Sequence, residues 1–255
     1  MSRILKNKPL LEAIVEIRWL LQETAPDVHV DPHYKVLVGR LYDRVASEYP
    51  EHEVLPTATL PDELVPWRVQ HRFRSGKDDW PVIQVGPGIL TVNDTHKYTW
   101  DAFRDRTNDA AAKLFEAYPD SSSLKVKSLL LRYIDAIDFD YSSDSVLSFL
   151  AEYLKVTTSL PSDLFENMGV NQNPQHFRWE SSFTCEKPLG MIQVMFSTGK
   201  RNGQKSLIWE TRVVSEEKVL PEMPSGFSAW LDSAHTLTDD WFFKLIEGEL
   251  ERRFS

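Results

Sequence analysis

Charged side chains at strand spacing are the first candidates for chemistry in this sequence. Glu16 and Arg18 stand two residues apart in AIVEIRWLL, so an extended backbone projects both from one face. RYIDAIDFD, apolar enough for a central strand, adds Arg132, Asp135, Asp138 and Asp140. Pairing of the two strands would gather opposite charges, and buried charges persist only when paired. The group therefore reads either as a structural ion network or as the floor of a pocket, and the structural reading is the simpler one. His235, in LDSAHTLTDDWFF near Asp232, Asp239 and Asp240, has the neighbours of a general base or a hard-metal site. Its spacing matches neither HxxxH nor HExxH. A histidine at a helix end, favoured by the macrodipole, accounts for it without a ligand. An enzyme or ligand sensor would place Glu16, Arg18, Arg132, Asp135 and His235 around a pocket between the two halves of the chain.

WRVQHRFRS places Arg68, Arg72 and Arg74 opposite Val69, His71 and Phe73, which predicts a strand with a basic wet face beside Trp67. Such a strip suits an acidic peptide or a phosphate backbone, and equally a solvated edge strand whose charges discourage aggregation. VGPGILTVND resembles a phosphate-cradling loop only superficially, because a strand and not a helix follows the glycines. Pro87 and Gly88 instead suit the middle positions of a type II turn between WPVIQV and ILTVND. Asn93, Asp94 and His96 in NDTHK precede a helix and read as caps and turn formers. Cys185 lacks any nucleophile signature and reads as a packed strand residue; as the single cysteine it excludes an internal disulfide.

Around these groups the periodicities predict strand, helix, strand, hairpin, long helix and strand, close to a split βαβ arrangement. The first helix is expected from Asp31 as N-cap with Pro32 at its first position; the long one starts near Thr99 and is stopped by Pro119. A break is expected near DYSSDS, giving an N-terminal lobe over 1–141 and a C-terminal lobe over 142–255, with one continuous domain as the alternative. The second half reads as a helix at SVLSFLAEYL, a polar loop, an antiparallel meander of three strands, and two helices separated near Thr236–Thr238. The fold class is α+β, mainly antiparallel sheet with packed helices, in two lobes of the ferredoxin-like type.

With 255 residues, 42% hydrophobic and eight tryptophans, the chain has material for a substantial aromatic core. A net charge of -9 opposes nonspecific nucleic-acid binding. Charges at Glu12, Glu16 and Arg18 interrupt the N-terminal apolar stretch, so no signal peptide or membrane span is expected, and with one cysteine a reducing cytoplasm fits. No cofactor or metal is expected.

Taken together, PLLEAIVEIRW, WPVIQVGPGILTVND with YTWDAF, LLLRYID and LDSAHTLTDDWFFKLIEGELE resemble a sporadically distributed, uncharacterised family of bacterial proteins of similar length. The resemblance implies a compact α+β protein and an accessory role of the kind found in mobile-element or defence loci, including CRISPR-type and toxin–antidote systems. It carries over no catalytic residue. The expected function is therefore a non-catalytic accessory module that binds another protein of its own locus, with Trp67, Trp80, Trp100 and Trp230 as aromatic anchors.

Overall fold

The computed structural model describes residues 5–95, 97–166 and 169–255. The chain runs β1 (Leu10–Trp19), a short ribbon of β2 (Gln22–Ala25) and β3 (Val28–Val30), α1 (Tyr34–Val45), β4 (Glu51–Val54), β5 (His71–Arg74), β6 (Val82–Gly86) and β7 (Ile89–Asp94). It continues as α2 (Trp100–Ala117), β8 (Val126–Asp138), α3 (Val146–Tyr153), β9 (Arg178–Glu186), β10 (Leu189–Arg201), β11 (Gln204–Glu216), α4 (Phe227–Ile246) and α5 (Glu249–Phe254). The architecture is α+β, as the periodicities predict. Among the described residues, nine strands form one antiparallel sheet in the order β4-β5-β6-β7-β1-β8-β11-β10-β9.

The two halves repeat a pattern around the central β1·β8 pair. From β1 the sheet passes outward to β7, β6 and β5; from β8 it passes to β11, β10 and β9. Each half is a strand, a helix, a meander and a second helix, and each needs the other's first strand to complete a split βαβ order. Two separate ferredoxin-like lobes are therefore replaced by one continuous sheet, because β8 pairs with β11 across the expected break. The 141/142 boundary itself falls in the loop between β8 and α3.

Strand parity decides what each face buries. On β1, Ala13, Val15, Ile17 and Trp19 are buried under the helices, whereas Glu12, Ile14, Glu16 and Arg18 point the other way. Leu37 and Leu41 of α1, Phe103 and Leu114 of α2, and Leu231 of α4 fill that core. A second cluster packs α3, α5 and the end of α4 on Phe196, Leu207 and Trp209, and Trp241 touches both.

Local chemistry corrects several boundaries. Asp31 does not cap α1, which begins after His33; its carboxylate is a buried hub instead, accepting hydrogen bonds from Trp19 Nε1 (2.8 Å), Tyr118 Oη (2.9 Å) and the His33 amide (2.9 Å). The expected gap near Thr236–Thr238 does not exist: Thr236 and Thr238 donate their hydroxyls back to the carbonyls of Asp232 (2.8 Å) and Ala234 (3.0 Å), and α4 runs through. The chain turns instead at Gly248, whose φ is 114°.

The turn at Gly86-Pro87-Gly88 forms as expected, with Gly88 at φ 77°. The glycines have a further duty, since residues 67–70 lie directly against the hairpin through Trp67 N to Pro87 O (2.8 Å) and Gln70 N to Val85 O (2.9 Å). A Cβ on Gly86 would sit 1.8 Å from the Arg68 carbonyl oxygen. Gly86→Ala is accordingly expected to destabilise the fold by about 2 kcal/mol, read as a lower urea midpoint at unchanged slope.

Candidate functional site

All five α-helices among the described residues pack on one face of the sheet, and the opposite face carries a polar ladder. Its first half crosses five strands. Glu53 on β4 accepts from Arg72 Nη1 (3.1 Å) and Arg74 Nε (3.2 Å) on β5. Arg72 Nε donates to Gln84 Oε1 on β6 (2.8 Å), Gln84 Nε2 donates to Asn93 Oδ1 on β7 (3.1 Å), and Asn93 Nδ2 donates to Glu12 Oε1 on β1 (2.8 Å). Thr91 adds its hydroxyl to Asn93 Oδ1 (2.7 Å). Gln84 and Asn93 are buried although no helix covers them, so each depends on this chain for its hydrogen bonds. Desolvation works to raise the Glu53 carboxyl, but the hydrogen bonds and charges of Arg74 and Arg72 outweigh it and hold the group below its ordinary value.

The second half of the face pairs its charges the same way. Arg132 on β8 meets Glu210 on β11 (2.7 Å), and Glu180 on β9 receives both Arg178 (2.9 Å) and Arg212. Arg18 is tied to Glu16. Between them lie Ile14, Leu130 and Ile134, partly exposed.

Of the residues expected to form a site, Glu16, Arg18, Arg72, Arg74 and Arg132 thus share this helix-free face. Asp135 and His235 lie on the other side of the sheet, because Asp135 is three positions from Arg132 and odd spacing changes face. Arg68 is exposed in the loop before β5 and belongs to neither group. The strip over 68–74 is not a free basic surface: Arg72 and Arg74 are half-buried against Glu53.

Under the helices, His235 sits in the middle of α4, not at its end. Trp100 stacks on its ring at 3.6 Å, and Nδ1 lies 3.0 Å from the Tyr133 hydroxyl, which in turn is 2.8 Å from the Tyr98 hydroxyl. Burial lowers the imidazole to about 4, against a smaller upward pull from Asp232, whose carboxylate is held by Arg104. Burial also lifts Tyr133 well above its ordinary range, and raises Asp135 to about 8. At neutral pH His235, Tyr133 and Tyr98 form a hydrogen-bonded run of uncharged groups, with a protonated Asp135 on the same side of the sheet. No three His, Cys, Asp or Glu side chains among the described residues are grouped to hold a metal.

Other expectations resolve locally. Asn93 and Asp94 are not caps but the buried end of β7, where Asp94 pairs with Arg106; Thr99 precedes α2 without a side-chain cap. His96 lies outside the described residues. Cys185 donates to the Pro188 carbonyl (3.1 Å), and burial raises its thiol, away from nucleophilic character. Among the tryptophans proposed as anchors, Trp230 is buried and Trp67 donates Nε1 to Trp19 O (3.0 Å); Trp80 is exposed, beneath Arg74.

Sequence reasoning missed a cavity of about 620 Å³ between α1, β5 and the turns over 56–64, lined by Tyr34, Lys35, Asp62, Gln70 and His71 among others. Beside it, His52 Nε2 and His71 Nδ1 are 2.9 Å apart. Nothing local signals this pair, since β4 carries only EHEV, with no alternation to mark a strand. No family model matches the chain, and no curated protein is significantly similar to it. No helix among the described residues is long and apolar enough to cross a membrane.

Proposed function

We propose that this chain is a non-catalytic module that binds another protein, encoded in its own locus, on the helix-free face of its sheet. The observation that carries the reading is the ladder from Glu53 to Glu12 with its counterpart at Arg132, Glu210 and Glu180. A broad face with ordered polar groups and interleaved apolar side chains has the composition of a protein-binding surface. Its arginines are matched by carboxylates, so little cationic charge remains for phosphate, in keeping with the net charge of -9.

The test uses the full chain as bait in extracts of its native host. A partner recovered in stoichiometric amount by the wild-type chain is expected to be lost about tenfold or more from Arg18→Glu/Arg132→Glu, which places like charges beside Glu16 and Glu210. The control Lys244→Glu, on exposed α4 surface, is expected to retain it. Equal recovery by all three chains, or no stoichiometric partner at all, would count decisively against the reading.

A further inference from the structure

We infer that two copies of this chain pair through the outer edge of β9, extending the sheet across a two-fold axis at Ser182. This goes beyond the partner-binding face and rests on a different part of the molecule. The sheet has two ends, and they differ. At one, β4 is four residues long and flanked by Pro50 and Pro56, a blunt edge that offers little pairing. At the other, β9 is nine residues long, contains no proline, and among the described residues is bonded only to β10. No backbone hydrogen bond from another described segment reaches its free side.

The side chains of this edge are self-complementary. In an antiparallel pair centred on Ser182, Arg178 stands opposite the second copy's Glu186, and Glu180 opposite Thr184. Both ends of the pair gain an opposite-charge contact, and no two like charges stand directly opposite each other. Sliding by two residues in one direction sets Glu180 against Glu186; sliding in the other gives Arg178 only Thr184. The charges therefore select one register, as closed two-fold contacts require. Glu186 has no ion-pair partner within the chain among the described residues, so it is available for this one.

The other face of the strand supports the same axis. Phe183 is 48% exposed although it rests against Trp241 at 5.6 Å. In the Ser182-centred register each Phe183 faces Ser181 of the second copy, and the two phenylalanines become diagonal neighbours, within reach of aromatic rings. Leu189 and Met191, also exposed, pair with Glu186 and Thr184 and add apolar area beside the edge on the opposite, helix-free face.

Sedimentation equilibrium of the full chain over a concentration series tests the proposal. The wild-type chain is expected to be a dimer in the micromolar range, and Glu186→Arg or Arg178→Glu alone to weaken association about tenfold or more. Mixing the two single variants is expected to restore it, since each then offers the charge the other lacks; the double variant is expected to self-associate like the wild type. Circular dichroism confirms that each variant is folded. A monomeric wild-type chain, undiminished association of Glu186→Arg, or a mixture no tighter than its components would overturn the proposal.

Discussion

Replacing Asp135 with asparagine is expected to stabilise this protein at alkaline pH by an amount on the order of 5 kcal/mol. The carboxyl is 3% exposed, and burial alone moves it from 3.8 to about 8. Between those values the folded chain keeps a proton that the unfolded chain has released. Raising the pH therefore favours unfolding, and the loss grows until the folded group itself ionises near pH 8. Asparagine keeps the shape and cannot ionise, so it removes this dependence. Urea denaturation at a series of pH values checks it: the wild-type and Asp135→Asn curves should diverge as pH rises, and parallel curves would show that Asp135 ionises as easily in the fold as outside it.

His235→Gln is expected to remove an acid sensitivity of the opposite sign. Burial against Trp100 and Tyr133 lowers the folded imidazole from 6.5 to about 4, so below pH 6.5 the unfolded chain takes up a proton that the folded chain does not. Stability present above pH 6.5 is lost as pH falls toward 4, by about 3 kcal/mol. In the wild-type chain the two contributions oppose each other over this window and leave a nearly level profile, followed by a decline from 6.5 to about 8. Each single variant exposes the other group. Asp135→Asn should gain stability from pH 4 to 6.5 and then stay level, whereas His235→Gln should lose stability steadily from pH 4 to about 8. Titration of the His235 ring by NMR gives an independent reading, and a midpoint near 6.5 would contradict the assignment.

Packing also encloses this cluster. His235 is neutral at ordinary pH, but its ring face is covered by Trp100 and its Nδ1 is engaged by Tyr133. A general base needs an open position beside the proton it removes. The chemistry-bearing residues on the other face are in a similar condition, each arginine occupied by a carboxylate or amide of its own or a neighbouring strand. The cavity beside His52 and His71 takes its polar groups from three separate segments, Tyr34 with Lys35, Asp62 with Glu63, and Gln70 with His71.

Much of this architecture was legible in the residue pattern. Alternation along AIVEIRW sorts Val15, Ile17 and Trp19 from Glu16 and Arg18 on opposite faces, and Pro87-Gly88 specifies the hairpin turn. Pro119 ends α2 and Ser145 caps α3 through the Ser148 amide (3.3 Å). These features depend only on backbone geometry within a few residues. Because β8 runs unbroken over Val126–Asp138, the same parity separates Arg132 from Asp135 and excludes the pocket expected to contain both.

Other features have no local cause. β4 becomes a strand because β5 lies beside it, and α4 continues past Thr238 because its core side chains hold it on the sheet. Asp31 becomes a buried acceptor only when Trp19 and Tyr118, distant in sequence, converge on it. By itself the sequence determined the strand parities, the turns and the α+β class, since each follows from the spacing of neighbouring side chains. Tertiary structure alone decided that β7 lies against β1 and β11 against β8, and so which carboxylate each arginine meets, because strand order is set by the burial of a shared core among residues far apart in the chain.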